Sequence, residues 1–354
     1  MSRSRLVAAH AFASGLSVLA ALLTLALGAC GGDSSPSSAS TPVVPVARAE
    51  SVPGGASGQA SERPARRSDP RRVVAIGDVH GDLAAGLAAL RSAGLIDEQA
   101  RWSGGDTVMV QVGDLLDRGD GEAELMDLFE RLRDEARTAG GEVHLLLGNH
   151  ELMNAAGDLR YVTRGGFAQF ANTPPHPSHE ADVLRAPQVA HGRLRAFLPG
   201  GPYARRLATY GLTHRTGDAL FVHGGVIPEH ARELPRMEAE AQAWLRDERR
   251  IPTEVALHPD SPLWTRRYSL SPDARACAEV ARTLDAEGLS RMVVAHTVQD
   301  DGITSYCGGR VIAIDCGLSS YYGGPVQVLE LRAGAARVLS ARGAPRTLPE
   351  VSAP

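Results

Sequence analysis

The chain has 354 residues, of which 43% are hydrophobic and 22% are charged, and its formal net charge is −4. This is the composition of a globular protein, and the small negative charge offers no basic surface for nucleic acid. The 37 basic residues are all arginine, so chemistry that needs a lysine, such as a Schiff base or a P-loop, is excluded.

The first 30 residues have the pattern of a lipoprotein signal peptide. Arg3 and Arg5 precede a long apolar run that ends in Leu27-Gly28-Ala29-Cys30. Small residues before a cleavage point are typical of a signal peptide, and the cysteine resembles the lipidated residue of a bacterial lipobox. An ordinary signal peptide and a retained membrane anchor are the alternatives, since the apolar run is long enough to span a bilayer. We expect Cys30 to anchor the protein in the bacterial cell envelope, facing the periplasm.

Residues 31–70 are rich in Ser, Pro, Ala and Gly, and we expect a flexible tether there. The folded domain is predicted over residues 71–345, followed by a tail at 346–354. Its first strand ends in Gly77-Asp78-Val79-His80-Gly81. A carboxylate and an imidazole two positions apart suit a transition metal better than calcium. Asp82 is placed to cap a helix over residues 83–92.

The second apolar run, residues 107–112, leads into Gly113-Asp114-Leu115-Leu116-Asp117-Arg118-Gly119. Ligands of open α/β sheets bind at the carboxyl ends of the strands. Two aspartates at one strand end are costly without a cation, and carboxylate oxygens suit hard divalent ions. Arg118 beside them suits a phosphate. The alternative is a polar turn in which Asp117 and Arg118 form a solvated ion pair.

The same pattern then recurs along the chain. A predicted helix over residues 122–138 leads to a third strand, which ends in Gly148-Asn149-His150-Glu151. Three strand–loop–helix units predict a layered βαβ sheet whose loops converge on one edge. Two further predicted strands, near residues 219–222 and 291–295, end in His223 and His296. Apolar segments at residues 311–314, 326–331 and 338–339 predict antiparallel strands.

Two less regular segments, residues 152–218 and 228–285, are predicted to be helical cap or lid insertions over the site. We expect the histidines of the first segment to lie on the surface; they are His176, His179, His191 and His214. The cysteines after Cys30 permit one disulfide and one thiol, or three free thiols, and the sequence leaves the pairing open. They are Cys277, Cys307 and Cys316.

Together, the five strand-end motifs resemble the calcineurin-like metallophosphatase superfamily and, within it, the phosphoprotein phosphatase family. The stretch from Gly148 to Tyr161 and the run Pro262-Leu263-Trp264-Thr265-Arg266 are most similar to the Shewanella-like phosphatases. The resemblance covers about residues 73–331. It implies an α/β fold in which a two-sheet β-sandwich is flanked by helices and carries helical cap insertions.

The resemblance also implies two divalent metal ions about 3.5–4 Å apart, with attack in line on phosphorus by a hydroxide that bridges them. Oxygen and imidazole donors suit Mn, Fe or Zn. The residues that match the ligands of one ion are Asp78, His80 and Asp114, and those that match the other are Asp114, Asn149, His223 and His296, with Asp114 bridging.

Other positions match the residues that handle the substrate. Arg118 matches the phosphate-binding arginine, and Arg266 is the choice for a second arginine, with Arg267 its rival. Asn149, besides its place among the metal ligands, is also expected to bind the substrate phosphate. His150 matches the general acid that protonates the leaving oxygen, and Asp117 matches the residue that orients it.

The resemblance has one clear departure. Eukaryotic serine/threonine members carry a Ser-Ala-Pro-Asn-Tyr loop where this chain reads Ile314-Asp315-Cys316-Gly317-Leu318. Leu115 and Leu116 further predict an apolar rim. The leading hypothesis is a phosphomonoesterase that acts on phosphotyrosine or other phosphoproteins. The alternatives are a hydrolase of dinucleoside polyphosphates or other small phosphate esters, and an inactive, lipid-tethered binding protein.

Overall fold

The computed structural model of the protein describes residues 71–351. The predictions for the signal peptide, for Cys30 and for the tether at 31–70 lie outside these residues. The strands are β1 Val73–Ile76, β2 Val108–Gln111, β3 Glu142–Leu145, β4 Thr213–Thr216, β5 Ala219–Val222, β6 Arg291–Val294, β7 Thr304–Tyr306, β8 Val311–Ala313, β9 Gln327–Arg332, β10 Ala335–Ser340 and β11 Arg346–Thr347. The helices are α1 Leu83–Ser92, α2 Glu122–Thr138, α3 Asn149–Ala155, α4 Arg164–Gln169, α5 Glu180–Val183, α6 His191–Phe197, α7 Pro202–Leu207, α8 Leu234–Leu245, α9 Thr253–Ala256 and α10 Ala274–Ala286.

The strands form two mixed sheets. The first has the order β11-β10-β9-β1-β2-β3, in which β1, β2 and β3 are parallel and β9 runs antiparallel to β1 and β10. The second has the order β4-β5-β6-β8-β7, in which β5, β6 and β8 are parallel. Strands β1, β2, β5 and β6 are buried along their whole length, which explains their continuous apolar runs. The predicted fold class, two sheets with flanking helices, is confirmed.

The terminal strands differ from the prediction in one respect. β9 and β10 form the expected antiparallel hairpin, with Leu331 opposite Ala336. β8 instead joins the second sheet parallel to β6, with Val293 opposite Ile312, so the antiparallel prediction for residues 311–314 was wrong for that pair. The short apolar segment fits either direction, because pairing is decided by the long-range packing of the sheet.

The first two helices begin and end where the sequence predicts. The Asp82 carboxylate accepts the N–H of Ala85 at 2.9 Å and caps α1. In α2, Leu125, Phe129 and Leu132 are fully buried on one face. Each of the two helices begins directly after a motif loop.

The insertion at 152–218 contains the end of α3, helices α4–α7 and strand β4, and the insertion at 228–285 contains α8, α9 and most of α10. The surface prediction was wrong for His176, which is only 3% exposed. Its Nδ1 accepts the N–H of His179 at 3.0 Å, a local turn that composition does not reveal. Arg346 and Thr347 pair with β10, so the fold extends into the segment predicted as a tail.

The structure shows which cysteines pair, a question that the sequence leaves open. Cys277 of α10 forms a disulfide with Cys307, and Cys316 is a buried free thiol. No helix within residues 71–351 is both long enough and apolar enough to cross a membrane.

Candidate active site

The loops that follow the parallel strands β1, β2, β3 and β6 line one cleft of about 320 Å³. Eight of the predicted site residues line it: Asp78, His80, Asp114, Arg118, Asn149, His150, Arg266 and His296. His223 and Asp117 lie directly behind these residues and are fully buried. The structure thus brings all the predicted site residues of the folded domain into one place.

Asp114 lies at the centre of this cluster. Its Oδ2 is 3.4 Å from Nε2 of His223, 3.8 Å from Nε2 of His80 and 3.8 Å from Nε2 of His150. Its Oδ1 accepts the backbone N–H of His150 at 3.0 Å. The backbone of Gly148 lies so close to Asp114 that a Cβ on Gly148 would be 2.2 Å from this oxygen. Only glycine therefore fits at position 148.

The motif loops hold an unusual backbone conformation. Residues with a left-handed backbone include His80 at φ +48°, Asp114 at +55°, Asp117 at +68°, Arg118 at +66° and His296 at +66°. This conformation is uncommon for residues other than glycine and costs roughly 1–3 kcal/mol each. Such residues concentrate at functional sites, and here four of them, His80, Asp114, Arg118 and His296, line the cleft, while Asp117 lies behind it.

Three buried histidines each have one ring nitrogen fixed by a backbone carbonyl. Nδ1 of His80 donates to Leu116 O at 2.9 Å, and Nδ1 of His223 donates to Val112 O at 2.8 Å. Nε2 of His296 lies 3.1 Å from Trp264 O. Because a nitrogen facing a carbonyl must carry the proton, the other nitrogen is the one that a neutral ring can offer as an acceptor; in His80 it lies 3.1 Å from the Arg118 guanidinium, and in His223 it lies 3.0 Å from Asn149 Oδ1. This is the arrangement that orients histidine ligands of metals.

The electrostatics of these imidazoles favour the neutral form at two of the three positions. Burial lowers the pKa of His80 to about 3, and burial also lowers the pKa of His296 well below its ordinary value. Burial lowers the pKa of His223 too, but the Asp114 carboxylate outweighs it and the net pKa is raised. Neutral imidazoles beside a carboxylate are suitable ligands for a divalent transition metal.

The carboxylates are crowded. Burial, followed by the charges of Asp315 and Asp114, raises the pKa of Asp78 well above its ordinary value. Burial would raise the pKa of Asp114 as well, but the neighbouring His223 and His150 hold it well below its ordinary value. Bringing Asp78, Asp114 and Asp315 together in a buried place is unfavourable without positive charge. The donor set fits divalent cations, and Asp114 belongs to both candidate groups, which are His80, Asp114 and His150, and Asp114, His223 and His296.

His150 and Asp117 form a pair at the edge of the cluster. Nδ1 of His150 lies 2.6 Å from Oδ2 of Asp117, and both side chains are buried. Burial lowers the pKa of His150, but Asp114 and the hydrogen bond to Asp117 outweigh it, so the pKa is raised above its ordinary value. This shift is in the direction that a proton donor needs, and Nε2 is the ring nitrogen on the side of the cleft, 3.8 Å from Oδ2 of Asp114.

Two arginines face the same cleft. Nε of Arg118 is buried and has no hydrogen-bond partner among residues 71–351, which leaves a donor for a ligand. Arg266 donates to His296 O at 2.6 Å and to Thr297 Oγ1 at 3.0 Å. Arg267 points away and pairs with Glu279 at 2.7 Å. Of the two rival arginines, the structure places Arg266 at the site.

The rim of the cleft is aromatic rather than aliphatic. Leu115 and Leu116 are at most 1% exposed and belong to the core, so the prediction that they form the rim was wrong. Arg118 instead lies under Tyr161 and Tyr322, with its guanidinium carbon 4.9 and 5.0 Å from the ring centres. Tyr161 ends the stretch that resembles the Shewanella-like phosphatases, whereas Tyr322 follows the segment where the eukaryotic loop is missing and stands in no motif.

Sequence reasoning also missed a layer of buried polar residues behind the motifs. Glu151 accepts the N–H groups of Asp114, Leu115 and Gly148 at 2.7–2.9 Å. Burial and the charge of Asp114 raise the pKa of Glu151 to about 7. The position of Glu151, three residues after Gly148 at a helix start, is a capping signature that would have identified it. The other residues of this layer are Glu122, Asn154 and Arg193. Arg193 donates hydrogen bonds to both of the other two, although it lies 39 positions from Asn154 and 71 positions from Glu122 in the sequence.

Comparison with known proteins agrees with this site. The sequence profile of the calcineurin-like phosphoesterase family matches residues 71–300. Shewanella-like protein phosphatase 2 of Arabidopsis thaliana is 36% identical over 299 residues, which are 75% of this chain and 76% of that protein. Shewanella-like protein phosphatase 1 of Plasmodium berghei is 28% identical over 72% of this chain and 69% of that one.

A solved structure gives the same result for the fold. The cold-active protein tyrosine phosphatase of a psychrophilic Shewanella species superimposes with a TM-score of 0.62 and 27% sequence identity, covering 80% of this chain and 81% of the other. These proteins are phosphatases, and the motif residues described above lie within the matched range. This chain belongs to the calcineurin-like phosphoesterase family of hydrolases, and within it resembles the Shewanella-like protein phosphatases.

Proposed function

We propose that this protein is a phosphomonoesterase that uses two divalent metal ions and acts on phosphotyrosine in proteins. The observation that carries the proposal is the single cleft that holds the Asp114-centred cluster, two arginines and the His150–Asp117 pair. The proposed metal ligands are Asp78, His80, Asp114, Asn149, His223 and His296. When bound, such ions supply Lewis acidity and lower the pKa of a water molecule.

The chain's own residues then have distinct tasks. Arg118 and Arg266 bind the phosphate oxygens and neutralise their charge, and the planar fork of Arg118 suits two of them. Nε2 of His150 gives a proton to the leaving oxygen, while Asp117 accepts from Nδ1 and holds the ring in place. His150 and Asp117 are both buried, which excludes water from their contact and strengthens it.

Two observations support phosphotyrosine over other esters. Tyr161, Tyr322 and Trp264 line the cleft beside Arg118 and can pack against a phenyl ring. The Shewanella protein with the same fold is described as a protein tyrosine phosphatase. One such aromatic contact is worth roughly 0.5–1.5 kcal/mol, so even a single contact gives a preference of about 2- to 10-fold over an aliphatic phosphate ester.

The test compares kcat/KM for three substrates with added Mn²⁺: a phosphotyrosyl peptide, the matched phosphoseryl peptide and a dinucleoside tetraphosphate. The proposal predicts the phosphotyrosyl peptide to be the best substrate. Faster cleavage of the dinucleotide would favour the small-molecule hydrolase instead. No turnover of any substrate with Mn²⁺, Fe²⁺ or Zn²⁺ would favour the inactive binding protein.

Replacing Arg118 by alanine is expected to weaken phosphate binding without removing the metals. The loss of a charge-assisted hydrogen bond costs roughly 1.5–3 kcal/mol, so the inhibition constants of phosphate and vanadate should rise about 10- to 100-fold. Arg267→Ala is the matched control, because its side chain pairs with Glu279 outside the cleft. Unchanged inhibition by phosphate in Arg118→Ala would place the anion site elsewhere.

We further propose that Cys30 carries a lipid anchor, a prediction that rests on the sequence alone. The anchor needs more than one acyl chain, because a single chain binds a membrane only reversibly. Cys30→Ser is expected to leave the membrane fraction or to keep an unprocessed signal peptide. Membrane fractionation and gel migration identical to the wild type would contradict the lipid anchor.

A further inference from the structure

Arg193 of α6 is a fully buried arginine inside the first insertion. Its guanidinium carbon lies 5.2 and 4.9 Å from the ring centres of Phe170 and Phe197. A guanidinium taken out of water is unfavourable unless its donors are satisfied by well-placed acceptors. The position of this side chain is therefore fixed by its hydrogen bonds and not by packing alone.

Those hydrogen bonds converge on the pair that contains the proposed general acid. Arg193 donates through Nε to Asn154 Oδ1 at 2.7 Å and through its fork to both carboxylate oxygens of Glu122. One terminal nitrogen also reaches Oδ1 of Asp117 at 3.2 Å. The same arginine thus connects the insertion to the loop after β2 and to the start of α2.

Asp117 is held on every side by this network. Its Oδ2 accepts from His150 at 2.6 Å, and its Oδ1 accepts from Asn154 at 3.1 Å as well as from Arg193. Its backbone N–H donates to Glu122 at 2.5 Å. With both oxygens and the backbone fixed, the carboxylate has one orientation, and so does the ring that donates to it.

We infer that Arg193 is a positioning residue for the general acid: it fixes Asp117, which in turn directs Nε2 of His150 toward the leaving oxygen. The inference rests on the proposed function of His150. An arginine that only stabilised the insertion would need its contacts to Glu122 and the two phenylalanines, but not the contact to Asp117. In this role, the insertion supplies a residue that positions the general acid.

The test is Arg193→Lys in the metal-loaded enzyme, assayed on an alkyl phosphate and on p-nitrophenyl phosphate. Lysine keeps the charge but cannot reach Asn154, Glu122 and Asp117 together. Loss of such supporting contacts costs roughly 10- to 100-fold, and we expect that loss in kcat for the alkyl ester. For the activated ester, whose leaving group needs less protonation, the loss should be a few-fold at most. KM and metal content should stay at wild-type values.

Arg291→Lys is the matched control. Arg291 is a buried arginine of β6 that donates to Gly334 O at 2.9 Å, away from the cleft. Its substitution can lower the unfolding temperature, but it should not change the ratio of the two rates. Equal losses on both esters in Arg193→Lys would overturn the inference, because that pattern indicates general damage to the fold.

A double variant gives the sharper test. In a His150→Asn background the general acid is gone, so Arg193→Lys should cause little further loss on the alkyl ester. A full additional loss would overturn the inference.

If Arg193→Lys does not fold, Asn154→Ala takes its place, because Asn154 donates to the same Asp117 oxygen. The same pattern is expected of this variant, and the same results would overturn the inference. If wild type turns over neither ester, both the proposed function and this inference fail. If His150→Asn loses both esters equally, the general-acid role of His150 fails and this inference with it, while the phosphatase proposal stands.

Discussion

Asp114→Asn is expected to remove both metal ions together and to lower kcat/KM by at least about 10³-fold. One carboxylate oxygen of Asp114 faces Nε2 of His80 and of His223, which belong to different candidate groups. An amide keeps the size of this side chain but loses the negative charge that a shared ligand needs. Elemental analysis of the purified variant measures the effect directly.

Glu330→Gln is the matched control for this variant. Glu330 is a buried carboxylate of β9 that pairs with Arg72 at 2.7 Å, outside the cleft. Its substitution should keep both metal equivalents even if stability falls. Two full equivalents of metal in Asp114→Asn would refute the bridging role.

His150→Asn is expected to keep the metals and to lower kcat by roughly 10²–10⁴-fold for an alkyl phosphate. The imidazole donates through Nδ1 to Asp117, which leaves Nε2 as the proton donor in the cleft. The loss should be much smaller for p-nitrophenyl phosphate, because its leaving group departs without protonation. The measurement is kcat on both esters together with metal content.

His176→Asn is the control, since His176 is equally buried but does not line the cleft. It should leave the ratio of the two rates unchanged. A ring nitrogen of His150 also lies within 4.8 Å of potential ligand atoms of His80 and Asp114. Loss of metal in His150→Asn would therefore identify His150 as a metal ligand. Equal losses on both esters would likewise contradict the general-acid role.

The parts of the fold that the sequence predicts are those determined locally. The cap at Asp82 and the apolar face of α2 predicted the first and last residues of the first two helices correctly, because capping and periodicity act over a few positions. β4 was not predicted, because its residues 213–216 carry no apolar run and pair only with β5. The direction of β8 depends on β6, about 20 positions earlier in the chain, which no local pattern records.

In the candidate site, too, some residues could be predicted from local sequence and others could not. Strand-end residues such as Asp78 and His223 stand in short motifs, and the family resemblance carried by those motifs implied that both belong to one metal site. Arg193 carries no such signal, since its partners Asp117 and Glu122 lie 76 and 71 positions away. Tyr322 was missed because the motif expected near it is absent. Residues that stand in short strand-end motifs are therefore easier to find from sequence than residues whose partners are distant in the chain.

The most direct test of the central claim is turnover of p-nitrophenyl phosphate by the chelator-treated wild-type protein as Mn²⁺ is added back. We expect no turnover in the metal-free protein and recovery that saturates at two bound equivalents per chain. Full turnover by protein that holds no metal would contradict it.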